Sequence, residues 1–136
     1  MEPFVWNIRV YWEDTDAGGV VYHSRYLNFF ERARTEWLRG MGVHQAQLAK
    51  TDNIIFAIQN MNIDFVMAAR LDDELETSLH SVQAPGARMI FKQDMYRCSD
   101  RQLVASAEVT AICLKADSFK ATRMPKWLRA EINNVE

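Results

Sequence analysis

The amino-acid sequence predicts an α+β fold in which one long helix packs on a mainly antiparallel sheet. Three observations predict it. Residues 23–41 carry apolar side chains at helical steps. Beyond residue 54 the pattern changes to runs with a period of two. The links between those later runs are short, which suits hairpins rather than long crossovers.

The elements follow in order. Residues 4–12 read as a strand, with Phe4, Trp6, Ile8 and Val10 alternating against Val5, Asn7, Arg9 and Tyr11. Residues 14–19, Asp-Thr-Asp-Ala-Gly-Gly, are turn chemistry. In the helix of residues 23–41, Tyr26, Phe30, Ala33, Trp37 and Met41 form the apolar stripe, with Leu27, Arg34 and Leu38 beside it. Gly40 and Gly42 supply the stop. A short helix is expected over 43–50. Strands are expected over 54–66, 75–82, 89–98 and 103–114, with Pro85-Gly86 and Ser99-Asp100 as turns. The last of these strands alternates cleanly, with Leu103, Ala105, Ala107, Val109 and Ala111 on one face. Residues 125–132, opening on proline, suggest a C-terminal helix.

The chain has 136 residues, enough for one domain with one sizeable core. No repeat or linker interrupts it, so residues 1–136 read as a single domain. Hydrophobic residues at 49% and charged residues at 25% are those of a globular protein. A net charge of −2 gives no general attraction to nucleic acid or anionic membranes. No apolar run approaches the ~20 residues of a membrane span, so stable membrane insertion is not expected. No basic-then-apolar leader is visible at the start. Cys98 and Cys113 lack metal-site spacing and sit in apolar stretches, so both are expected to be buried, inert thiols in a reducing cytoplasm.

The densest chemistry lies in residues 9–26, where a loop with two aspartates, two glycines and a histidine joins a strand to a helix start. Helix N-termini present unpaired N–H groups and partial positive charge. Such donors stabilise a carbonyl oxygen as it becomes an oxyanion. The Asp16 carboxylate can then attack the carbonyl carbon or activate a water. The competing reading of Asp16 is turn chemistry, because aspartates in glycine loops bond their own backbone. Asp14 reads as a turn-capping carboxylate rather than the second member of an acidic pair.

On residues Arg9-Val10, Thr15-Asp16, Gly19-Val20-Val21-Tyr22 and Tyr26, the chain resembles the 4-hydroxybenzoyl-CoA thioesterase family of hotdog-fold enzymes. The runs from Glu13 to His23, Phe30 to Glu36 and Ala69 to Asp73 look like its YbgC branch of acyl-CoA thioesterases, associated with the Tol–Pal cell-envelope system. The resemblance implies a hotdog fold, a curved antiparallel sheet around a long central helix. It implies Asp16 as nucleophile or general base, and the backbone N–H at His23 as the donor to the thioester carbonyl. The His23 side chain is implied either to position substrate or water, or to contribute its backbone alone. Gly19, Val20, Tyr22 and Trp12 would contact the substrate. The branch commonly carries tyrosine at Trp12; indole donates but does not accept, so Trp12 is expected as an aromatic wall. No metal or other cofactor is expected, and homodimers or homotetramers are.

Tyr26, Phe29, Phe30 and Trp37 are aromatics at helical spacing, which favours core over an acyl pocket. His44 and His80 stand alone, without metal-ligand spacing. Glu31 and Glu36 are helix carboxylates whose role Asp16 already fills. Arg70, Arg88, Arg97 and Arg101 are candidates for the coenzyme A phosphates, with solvated surface charge as the alternative. The leading expectation is hydrolysis of an acyl-CoA. Alternatives are an acyl-carrier-protein thioester as substrate, or a non-catalytic module that binds acyl chains or a partner. A hotdog dehydratase is disfavoured, since no His–carboxylate pair stands out.

Overall fold

The computed structural model describes residues 2–134. Its elements are β1 (Phe4–Arg9), a 3-10 turn (Trp12–Asp14), α1 (His23–Gly40), α2 (Gln45–Asp52), β2 (Ile54–Phe65), β3 (Glu74–Gln83), β4 (Arg88–Arg97), β5 (Leu103–Lys115) and α3 (Lys126–Asn134). The five strands form one sheet in the order β1-β3-β4-β5-β2. Every pairing is antiparallel. The sheet curves around α1, the architecture of the hotdog fold.

Side-chain size explains how a helix with large aromatics fits inside that sheet. Phe29, Phe30, Ala33, Trp37 and Leu38 of α1 are buried. Within the same core β5 presents small residues, with Ala105, Ala107, Val109 and Ala111 buried along one face. Small side chains on a sheet leave volume for large ones elsewhere in the core, which is how cores reach close packing. Trp37 meets the Phe91 ring edge-on at 5.9 Å. Register shifts at Ile58/Asn60, Leu79/Ser81 and Met95/Tyr96 add local bends to the strands.

The structure departs from the expected elements in five places. The first strand ends at Arg9 rather than residue 12, because the Asp14 carboxylate binds the Tyr11 N–H at 2.8 Å and folds the chain into the 3-10 turn. Trp6 alternates with Ile8 yet is 41% exposed, since it lies on an edge strand. Leu27 is exposed and Met41 half-buried, so the apolar stripe of α1 is narrower than its sequence suggests. The short helix runs 45–52 and ends on Asn53 in the left-handed region, φ 57°. Cys113 is buried but Cys98 is only half-buried, in the turn after β4. Burial pushes the Cys98 thiol up, with Glu74 and Glu76 adding to the effect. No helix among the described residues is long and apolar enough to cross a membrane.

Candidate active site

The loop between β1 and α1 is built on Asp14. That residue is 3% exposed, and both ends of the loop are tied to it. Its carboxylate accepts the Tyr11 N–H, and its carbonyl accepts the Tyr22 N–H at 2.9 Å. Arg25, one turn into α1, places Nε 3.6 Å from Asp14 Oδ1 and donates from Nη2 to the Glu13 carbonyl at 3.4 Å. Asp14 therefore anchors the strand end to the helix start, as expected of a capping carboxylate.

Between these anchors the chain makes a small hairpin. Thr15 and Val21 are bridged, and the Asp16 N–H donates to the Val20 carbonyl at 2.9 Å. The Gly19 N–H donates to the Asp16 carbonyl at 3.0 Å, with Gly19 at φ +77°. The second arm is pinned to the sheet side. Val20 is bridged to Arg70, and the Val21 N–H reaches the Ala69 carbonyl at 2.9 Å. The Ala69 N–H in turn donates to the Tyr26 hydroxyl at 3.0 Å. Burial raises the Tyr26 phenol, which Asp73 and Asp16 push further up. Tyr26 thus stays a neutral phenol that locks the hairpin to α1.

Asp16 is exposed at this hairpin. Its Oδ1 accepts the Gly18 N–H at 2.8 Å. No protein donor to Oδ2 is found among the described residues. The helix start is equally open. Tyr22 is the N-cap residue, at φ −64° and ψ 137°, and gives no side-chain cap. The first turn of α1 holds no acidic residue. Arg25 N–H bonds the Tyr22 carbonyl, while the N–H groups of His23 and Ser24 have no protein acceptor among the described residues. A helix end left without cap or counter-charge keeps its partial positive charge available to a ligand.

The hairpin thus brings Asp16, Gly19 and Val20 into one loop that ends, through Tyr22, on His23. The rings of Tyr22 and His23 lie 4.3 Å apart. Trp12 is 82% exposed, and its carbonyl accepts the Thr15 hydroxyl at 2.7 Å. Of the four candidate arginines, two are already engaged. Arg97 is bound to Asp100, with Nη2 at 2.7 Å from Oδ2, and Arg101 to Glu76 at 3.0 Å. Arg70 and Arg88 are exposed with no carboxylate in ion-pair range among the described residues. Arg70 sits directly across from Val20.

His80 lies 3.3 Å from Asp94 on the sheet, and His44 is the N-cap residue of α2. No group of three metal-ligating side chains occurs among the described residues. Glu31 binds Thr35, and Glu36 pairs with Arg39. The roles of Arg25, the Tyr26 hydroxyl and the buried Arg34 are not evident from the sequence, although Arg34 stands beside the apolar stripe of α1.

The model of the thioesterase-like superfamily matches residues 10–132. The chain belongs to this superfamily. Within the family it is 38% identical to the acyl-CoA thioesterase YbgC of Haemophilus influenzae, over 98% of this chain and 96% of that one. It is 39% identical to the acyl-CoA thioester hydrolase YbgC of Escherichia coli O6:H1, over 94% of each chain. A crystal structure of a 4-hydroxybenzoyl CoA thioesterase mutant complexed with 4-hydroxybenzoyl CoA superposes with a TM-score of 0.89 at 18% identity, covering 97% of this chain and 99% of that one. At that identity the likeness speaks for the hotdog fold, and the family match covers the loop, α1 and all of the sheet beyond β1.

Proposed function

We propose that this thioesterase-family chain hydrolyses acyl-CoA thioesters to a free acid and CoA-SH, using the loop and helix start described above. The observation that carries the reading is an Asp16 carboxylate oxygen with no protein donor among the described residues, in the loop that leads to an uncapped, acid-free helix N-terminus. The thioester carbonyl is placed against the His23 N–H, which stabilises the oxyanion as the carbon becomes tetrahedral. Asp16 either takes a proton from the attacking water or adds to the carbon itself. In the first route the water oxygen adds to the carbon and the C–S bond breaks; in the second the C–S bond breaks to leave a mixed anhydride with Asp16, which water hydrolyses to release the acid and restore the carboxylate. In both a proton ends on the sulfur. Gly19, Val20, Tyr22 and Trp12 line the approach, and the His23 imidazole positions substrate or water. The names of the Haemophilus and Escherichia relatives support the substrate class. No cofactor is required.

Several wider features belong to the same reading. A single domain over residues 1–136 works in the cytoplasm, in the Tol–Pal context of the YbgC branch. It assembles as a homodimer or homotetramer. The two edge strands, β1 and β2, need cover. Tyr22, Leu27, Phe65 and Val66 are exposed apolar side chains that a second copy would bury.

One observation favours acyl carrier protein as the thioester donor. Lys115, Lys120, Arg123 and Lys126 are exposed within a short stretch, with no carboxylate in ion-pair range among the described residues. An acidic carrier would be steered to such a patch.

The test is a panel of short, long and aromatic acyl-CoAs, with acyl carrier protein thioesters beside them, followed by release of free thiol. Turnover of an acyl-CoA supports the reading, and turnover only on the carrier selects the second donor. Silence with every thioester would overturn hydrolysis and leave a binding module.

A further inference from the structure

Arg34 lies on the face of α1 turned toward the sheet and is only 6% exposed. Its guanidinium has five N–H donors and no acceptor. Nη1 donates to Gln93 Oε1 at 3.0 Å, and Gln93 is held in place by donating from Nε2 to the Phe30 carbonyl at 3.0 Å. No carboxylate lies within 4.0 Å of the guanidinium among the described residues. Glu31 acts on it only through space, its Oε1 being bound to the Thr35 hydroxyl at 2.8 Å. Burial pushes Arg34 down to about 10, so it remains a cation at neutral pH. A buried cation without a counter-ion is costly, and the Phe91 ring, 6.0 Å from the guanidinium carbon, offsets only part of that cost.

The two nitrogens with no protein acceptor among the described residues, Nε and Nη2, are not sealed in. Among the described residues no fully buried side-chain nitrogen or oxygen lacks a partner. Arg34 borders a cavity of about 130 Å³ whose walls include Phe56, Met89, Phe91 and Ala111, with Thr35 and Gln45 at its rim. An apolar cavity of ~150 Å³ holds a benzene ring. On α1 the cavity begins at Glu31, eight residues beyond His23, about 12 Å along the axis at 1.5 Å per residue. It is therefore distinct from the Asp16 loop.

We propose that this cavity is a binding site for a small organic carboxylate, its anionic head on Nε and Nη2 of Arg34 and its hydrocarbon body on Phe56, Met89 and Phe91. The Nε–Nη2 edge of a guanidinium matches a carboxylate bidentately. A phosphate dianion fits less well, because Glu31 also borders the cavity and the walls are largely apolar. Water alone would satisfy the donors but neither neutralise the charge nor cover the aromatic walls.

The probes are benzoate and hexanoate, with benzamide and hexanamide as neutral isosteres, titrated into wild type, Arg34→Gln and Gln45→Trp by calorimetry and by the Met89 methyl resonance. Gln45 is exposed at the rim, so its substitution obstructs the cavity without disturbing the core if the Arg34 variant fails to fold. Wild type is expected to bind the carboxylates at least about tenfold more tightly than the amides, and than either variant binds them. Equal binding of acid and amide, no binding at all, or full binding in Gln45→Trp would overturn the proposal. A second arm identifies the source of the carboxylate. An acyl-CoA ending in a distal carboxyl, added to Asp16→Asn protein, displaces benzoate if the site serves the acyl chain; if it does not displace it, the site serves a free acid. These titrations need no turnover, so an absence of hydrolysis leaves the proposal standing or falling by itself.

Discussion

The Asp16 carboxylate accepts the backbone N–H of Gly18 at 2.8 Å through one oxygen, leaving the other without a protein donor among the described residues. That single bond orients the carboxylate and keeps half of it free. A Cβ at Gly18 would meet Asp16 Oδ1 at 3.2 Å. Gly18→Ala is therefore expected to displace the carboxylate while leaving the fold intact, lowering kcat with little change in thermal midpoint. Steady-state kinetics and a melting curve on the same sample separate the two effects.

Gly19 carries a different load. Its φ of +77° is a conformation that L-residues resist. Gly19→Ala should cost about 1 kcal/mol or more, a fall in Tm of about 4 °C, and reduce activity together with stability. A melting midpoint unchanged within error would show that the turn relaxes freely.

Asp14 and Tyr26 hold the hairpin from its two sides. Asp14→Ala leaves the Tyr11 N–H without its acceptor and Arg25 without its partner. Tyr26→Phe leaves the Ala69 N–H unpaired. Each should destabilise by about 1–3 kcal/mol, and hydrogen exchange should quicken at Tyr11 in the first variant and at Ala69 in the second.

Arg34 makes stability depend on pH in the alkaline range. Its folded value, about 10, lies well below that of the exposed group. Between these values the unfolded chain binds more protons, so stability rises with pH across that window and the gain is absent below about 10. Arg34→Met removes the titration and a buried charge. It is expected to match or exceed wild type in stability at pH 7–9, with the difference shrinking toward pH 12. Denaturant unfolding of both proteins over pH 8–12 reads this directly.

Arg70, bridged through its backbone to Val20, is exposed and without a carboxylate partner among the described residues. Arg70→Ala should raise KM for an acyl-CoA several-fold, the cost of about one charge-assisted contact, and leave KM for the matching acyl-pantetheine unchanged. Added salt should narrow the difference.

Much of this fold is legible in the sequence because its periods are strong. The aromatic stripe of α1 and the alternating alanines of β5 each point to one face, and both elements lie within a residue of where the pattern puts them. The end of β1 is not legible, because Asp14 stops the strand by binding Tyr11, and a carboxylate's partner leaves no periodic trace. Trp6 and Leu27 are apolar yet exposed, since periodicity reports a face and not what covers it. The loop motif singles out Asp16, but Arg25, Tyr26 and Arg34 act through partners 11 to 59 residues away in sequence, at Asp14, Ala69 and Gln93. Arg97 and Arg70 look alike as letters; only the fold separates the one held by Asp100 from the one with no carboxylate partner among the described residues.

In the proposed mechanism Asp16 performs the chemistry rather than merely shaping the turn. Asp16→Asn keeps the acceptor for the Gly18 N–H and removes the charge, so it isolates that question. Free-thiol release from the best acyl-CoA, measured at saturation in wild type and Asp16→Asn of matched thermal stability, is expected to fall by at least ~100-fold. Equal rates in the two proteins would remove Asp16 from the chemistry and return it to a structural role.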